Sequence, residues 1–76
     1  MNPEEKIRKL LGIDEWIEVY SLETYEKGGK TYYRLICYDK KQKNRGKKIH
    51  IPRKLEPKIL SLWREREEIL KKEKEL

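Results

Sequence analysis

Two adjacent glycines, Gly28 and Gly29, constrain this chain more than any other feature. They separate residues 16–26 from residues 30–38, two runs rich in aromatic and β-branched side chains. A glycine pair supplies the positive φ values that a two-residue hairpin turn requires. The turn also sets a register. Leu22 then faces Leu35, Tyr20 faces Cys37 and Thr24 faces Tyr33 on one side of the ribbon. Tyr25 with Tyr32, Glu23 with Arg34, Ser21 with Ile36 and Val19 with Tyr38 occupy the other. Glu23 opposite Arg34 supports the register, because opposite charges directly across a ladder stabilise it. After a polar loop over 39–46, Lys47-Lys48-Ile49-His50-Ile51 alternates with period two and stops at Pro52, which predicts a third strand in meander order.

Helical signals flank these strands. Asn2-Pro3-Glu4-Glu5 offers an N-cap, a proline at the first helical position and acids in the first turn. Ile7, Leu10 and Leu11 share one face, and Gly12 stands where a C-cap belongs, so a helix is predicted over about 3–11. A helix this short must dock on something to persist. Leu55, Ile59, Leu62, Trp63, Ile69 and Leu70 form one stripe of a longer amphipathic helix, with Pro57 in its first turn or one turn into it. Arg64/Glu68, Glu67/Lys71 and Glu68/Lys72 are four-apart ion pairs that favour it.

The predicted fold class is therefore α+β in a single domain, 1–76. A short N-terminal helix (1–12) precedes a three-stranded antiparallel meander sheet (16–51) and a long C-terminal helix (53–76) packed on one sheet face. Tyr20, Leu22, Leu35, Cys37, Trp16, Ile49 and Ile51 are expected beneath Ile59, Leu62 and Trp63. Both tryptophans are assigned to the core, and Cys37 is read as a small buried hydrophobe. Ile17, Val19 and Ile36 fall on the second face in this register, where the N-terminal helix is expected to cover them. Tyr25, Tyr32, Arg34, Lys48 and His50 would stay open. The heptad of the last helix is broken by Arg66 and Glu73, which favours packing on its own sheet and a monomer or weak homodimer.

Charge points to a partner. The 76 residues carry 20 Lys+Arg and 14 Asp+Glu, a net of +6. Residues 1–26 have a net of −4, residues 55–76 a net of zero, and residues 27–54 hold eleven basic residues against Asp39 alone. Such a segment repels itself unless it meets a polyanion, and nucleic acid is the leading class. No apolar run approaches a membrane span or a signal peptide, so a cytoplasmic location without membrane contact is expected. One cysteine and one histidine cannot make an internal disulfide or an ordinary four-ligand zinc site. With two serines, two aspartates and no glycine-rich phosphate loop, no enzyme, cofactor or metal is expected. Heavy use of Lys and Glu with one Gln and two Asn suits a hyperthermophile, or a virus or plasmid of one.

Lys30-Thr31-Tyr32-Tyr33-Arg34-Leu35, then Arg45-Gly46-Lys47-Lys48 leading into Ile49-His50-Ile51-Pro52, then a charged helix, resembles a known pattern. It is similar to the three-strand-plus-helix DNA-binding module at the N-terminus of tyrosine-type integrases, and to small stand-alone bacterial and archaeal proteins of that pattern, over about residues 16–74. The resemblance implies that the sheet face enters the major groove with the helix behind it. It implies that Arg34, Lys48 and His50 on the sheet, with Lys43 and Arg45 in the loop, approach DNA. The sequence departs from that pattern in its acidic N-terminal helix and in carrying no recombinase domain.

From the residues themselves, Lys40, Lys41, Lys43, Arg45, Lys47 and Lys48 form the expected phosphate footprint on double-stranded DNA. Arg34 and His50 would reach the groove. The alternative is an interaction module, for instance an inhibitor of a host protein, that meets an acidic protein surface through the same loop.

Overall fold

The computed structural model describes residues 2–75, with 44, 45 and 75 described in their backbone only. Helix α1 (Pro3–Leu11) is followed by strands β1 (Ile17–Lys27), β2 (Lys30–Asp39) and β3 (Asn44–His50). A 3-10 turn (Arg53–Leu55) then leads into helix α2 (Glu56–Glu75). The three strands form one antiparallel sheet in the order β1-β2-β3. The α+β architecture of helix, meander and helix is thus as the sequence predicts. No helix is long and apolar enough to cross a membrane among the described residues.

Local chemistry accounts for the element ends. Asn2 Oδ1 accepts the Glu5 amide at 2.8 Å, and Pro3 fills the first turn, where no N–H is needed. Gly12 closes α1 in the left-handed region at φ 65°, while the Ile13 amide donates to the Arg8 carbonyl at 2.9 Å. Gly28 and Gly29 take φ of 58° and 77°, the pair of positive values that the two-residue turn demands.

The register agrees with the sequence from Ser21 to Lys27, including Leu22 opposite Leu35 and Glu23 opposite Arg34. It then changes. Val19 lies opposite Cys37 and Ser21 opposite Ile36, so Tyr20 is an extra residue in β1, a bulge. The expected pairs Tyr20–Cys37 and Val19–Tyr38 are replaced by Val19–Cys37 and Glu18–Tyr38. One inserted residue transfers every side chain before it to the other face. Ile17 and Val19 therefore join Leu35 and Cys37, and each is 2% exposed, whereas Tyr20 is 67% exposed. The physical reason is burial: two β-branched side chains gain more from the core than one tyrosine, whose hydroxyl is better left in water.

That bulge also relocates α1. Ile7 enters the same core as Ile17, Val19, Leu35, Cys37, Ile51, Ile59 and Leu62. Helix α1 lies against α2, and Arg8 Nε donates to the Ile17 carbonyl at 3.0 Å. Both helices therefore cover one face of the sheet. The expectation that α1 covers the second face is corrected, because the bulge removes Ile17 and Val19 from that face. Trp16 is likewise not core. It is 36% exposed, with the Lys41 ammonium 3.6 Å from its ring centroid. Trp63 packs at the margin of the core beneath Arg66. Beyond Arg66, α2 contributes no core residue among the described ones, and Ile69 and Leu70 are exposed.

Candidate nucleic-acid interface

Strand alternation decides what the uncovered face displays. Tyr25, Tyr32, Arg34, Ile36, Lys48 and His50 have the parity opposite to the core residues, and none of them is buried. The registered pairs Arg34–His50 and Ile36–Lys48 set β3 beside β2 on this face. A single aromatic and cationic strip results.

Its centre is neutralised. Glu23 Oε1 accepts from Arg34 Nε at 2.9 Å and from Arg34 Nη2, and Lys48 Nζ lies 3.9 Å from the same oxygen. The Arg34 hydrogen bonds, aided by the Arg34 and Lys48 charges, hold the Glu23 carboxyl below the usual carboxylate range. The Arg34 guanidinium also stacks 4.4 Å from the Tyr25 centroid. Towards the hairpin turn, Tyr25 and Tyr32 stack at 5.6 Å, and the Tyr25 hydroxyl is 3.1 Å from His50 Nδ1.

At the far end lies the 39–46 loop. Asp39, the single acid of the basic segment, is 4% exposed. Its Oδ1 accepts the amides of Lys41 (3.0 Å) and Gln42 (3.2 Å), so it pins the loop and offers no surface counter-charge. Lys40, Lys41 and Lys43 are exposed around it, Lys43 at φ 52°. Lys41 is engaged on Trp16, while Lys40 and Lys43 make no ion pair among the described residues. The Arg45 side chain lies outside the described residues. Lys47 is exposed, but its place opposite Cys37 gives it the parity of the helix-covered side. The structure thus brings Arg34, Lys48 and His50 onto one face, sets Lys40, Lys41 and Lys43 at its end, and separates Lys47 from them.

Two curated proteins of Aquifex aeolicus (strain VF5) are similar to the chain. Uncharacterized protein aq_aa34 is 45% identical over 73 residues, and uncharacterized protein aq_aa07 is 49% identical over 65. These matches cover 96% and 86% of the chain but only 23% and 20% of the two relatives, so the chain spans less than a quarter of their length. Both relatives come from a thermophile, in keeping with the Lys- and Glu-rich composition. No protein-family model and no solved structure matches the chain.

Three cations on or beside this face escape sequence reasoning. Lys27 and Lys30 form the closing pair of the hairpin with the parity of the open face. The Arg53 guanidinium lies 5.0 Å from the Tyr32 centroid, and its Nη1 donates to the Thr31 carbonyl at 2.8 Å. The parity of Lys27 and Lys30 was available from the hairpin register. Arg53 follows the Pro52 strand stop, and nothing local in the sequence returns it to the sheet. No cluster of three or more metal-ligating side chains occurs among the described residues. Burial pushes the Cys37 thiol up to about 11, well above the range of a reactive thiolate.

Proposed function

We propose that the chain is a binding module, without catalysis of its own, that lays the open face of its sheet on duplex DNA. The observation that carries this reading is the placement of both helices on one side, which leaves the cationic and aromatic side uncovered. A small sheet or two-stranded ribbon fits a major groove, and the groove admits Arg and Lys to phosphates and base edges. Lys40, Lys41, Lys43 and Lys48, with Arg45, hold phosphates, while His50 and the remaining donors of Arg34 reach into the groove. Lys47 adds long-range attraction from the side. The reading extends to the relatives only over the part they share.

The test is anisotropy of a labelled 20-base-pair duplex from low to moderate salt. Six to eight phosphate contacts give a logarithmic salt slope of about −5 to −7. Lys43→Glu with Arg45→Glu should weaken binding to all sequences alike. Absence of binding at low salt removes the reading.

A second reading, contact with an acidic protein surface, is favoured by one observation. Ile69 and Leu70 are 41% and 38% exposed on α2, an apolar pair that DNA has no use for. A stoichiometric partner bound at a salt that abolishes duplex binding would support it.

A further inference from the structure

At the turn end of the open face, the hairpin closes with a lysine opposite a lysine. Lys27 faces Lys30 in the last pair before Gly28 and Gly29. Like charges directly opposed on a ladder destabilise it, and neither makes an ion pair among the described residues. The two lysines line a concave depression of about 480 Å³ with Tyr25, Tyr32, His50 and Gly28. No acid lines it. Glu26, the nearest acid in sequence, belongs to the opposite face of the ribbon through its pair with Thr31. The Tyr25 hydroxyl engages His50 Nδ1, leaving the other ring nitrogen without a partner among the described residues.

Arg34 and Lys48 share Glu23, and Arg53 has Glu56 at 3.3 Å, so these cations already have carboxylates. Lys27 and Lys30 have none among the described residues. A concave surface with two ammonium groups, an imidazole and two phenol-bearing rings suits an oxyanion with several acceptor atoms.

We propose that this depression is a phosphate subsite, separate from the loop footprint, in which Lys27 and Lys30 hold a phosphate group against His50. Strand β2 runs from Lys30 to Asp39, about 30 Å at roughly 3.3 Å per residue, and Lys40 follows at its far end. That is close to the ~34 Å of one duplex turn. The two ends therefore engage different phosphates. One source is the phosphodiester backbone of a duplex that the loop also holds, and this source alone rests on the function proposed above. The other is the terminal phosphate of a free nucleotide.

The full chain, its Lys27→Gln/Lys30→Gln variant and a Lys40→Gln/Lys43→Gln control are titrated with the 20-base-pair duplex and separately with ATP. Duplex binding is read by anisotropy against salt, and ATP by amide shifts of Gly28, Lys30 and Tyr32. Removal of the opposed charges should leave the melting temperature unchanged or raise it, which keeps both readouts interpretable. With the duplex as source, Lys27→Gln/Lys30→Gln flattens the salt slope by about 2 and weakens binding ~10-fold or more at 0.1 M salt. With a free nucleotide as source, saturable ATP shifts appear at the hairpin in the parent chain and vanish in that variant, with duplex binding untouched. If the variant matches the parent with both probes, the subsite is overturned. A salt slope still lost in the loop control would then leave the DNA reading standing. If the parent binds no duplex, that reading fails, and the ATP shifts alone decide the subsite.

Discussion

Glu23 holds Arg34 across the β1–β2 ladder, accepting from Nε at 2.9 Å and from Nη2, and the same carboxylate draws Lys48 to 3.9 Å from the neighbouring strand. One acid thus restrains two of the cations on the open face. As a structural device it fixes the register. As an electrostatic one it offsets part of the positive charge at the centre of the strip.

Replacing Glu23 by Gln should therefore raise duplex affinity about 5- to 10-fold at 0.1 M salt and steepen the salt slope by about 1, since a freed cation adds a phosphate contact. Stability should fall slightly, as the pair is partly exposed. The Glu23 carboxyl titrates below its usual range, so its stabilisation is fully present above the unfolded value and is lost only as pH falls through the depressed one. Anisotropy of both proteins at neutral pH checks the first effect. Unchanged or weaker binding by the variant would show that Arg34 and Lys48 do not face the DNA.

The docking of α1 depends on Glu4. Its Oε1 accepts the Val19 amide at 3.2 Å and pairs with Arg8 at 3.3 Å, and its Oε2 lies 4.0 Å from Arg66 on α2. The Val19 amide points away from β2 and would otherwise lack a partner at the sheet edge. Glu4→Ala should cost about 1–2 kcal/mol and speed hydrogen exchange at Val19 well beyond any change at Leu35. Equal protection at Val19 in the two proteins would contradict this role.

Most of the fold was legible because hairpin, caps and amphipathic stripe are local signals. Gly28 and Gly29 specify the turn, and Asn2 and Gly12 bound α1. The bulge was not legible, since Tyr20 is as good a strand residue as its neighbours and only competition for the core expels it. That single residue misplaced Ile17 and Val19, and with them α1. The site shared this fate in part. Arg34, Lys48 and His50 follow from alternation beyond the bulge, whereas Arg53 reaches Tyr32 only through the tertiary path after Pro52.

The bulge makes its own prediction. Tyr20→Ser should change stability by less than about 0.5 kcal/mol, as exposed substitutions do. Val19→Ala and Ile59→Ala should cost about 1–3 and 2–5 kcal/mol by opening cavities in a thin core. Urea denaturation of the three variants checks this ranking, and Tyr20→Ser proving as harmful as Val19→Ala would place the bulge elsewhere.

Cys37 provides a probe of the same core at high pH. The thiol is 0% exposed, and burial raises its pKa to about 11, against a smaller opposing effect of Lys47. A raised pKa means that the folded chain keeps its proton where the unfolded chain has lost it. Stability linked to Cys37 is therefore complete below the ordinary thiol value and falls as pH rises towards 11. Over that interval the loss is on the order of 2 kcal/mol. The informative quantity is the difference between the parent chain and Cys37→Ala. The variant should start less stable at pH 7, by about 1 kcal/mol for the lost sulfur, and should decline less steeply between pH 9 and 11. At pH 7 a thiol reagent should label the parent chain only as fast as it unfolds. Rapid labelling of the folded chain would mean that α1 and α2 do not seal this side of the sheet.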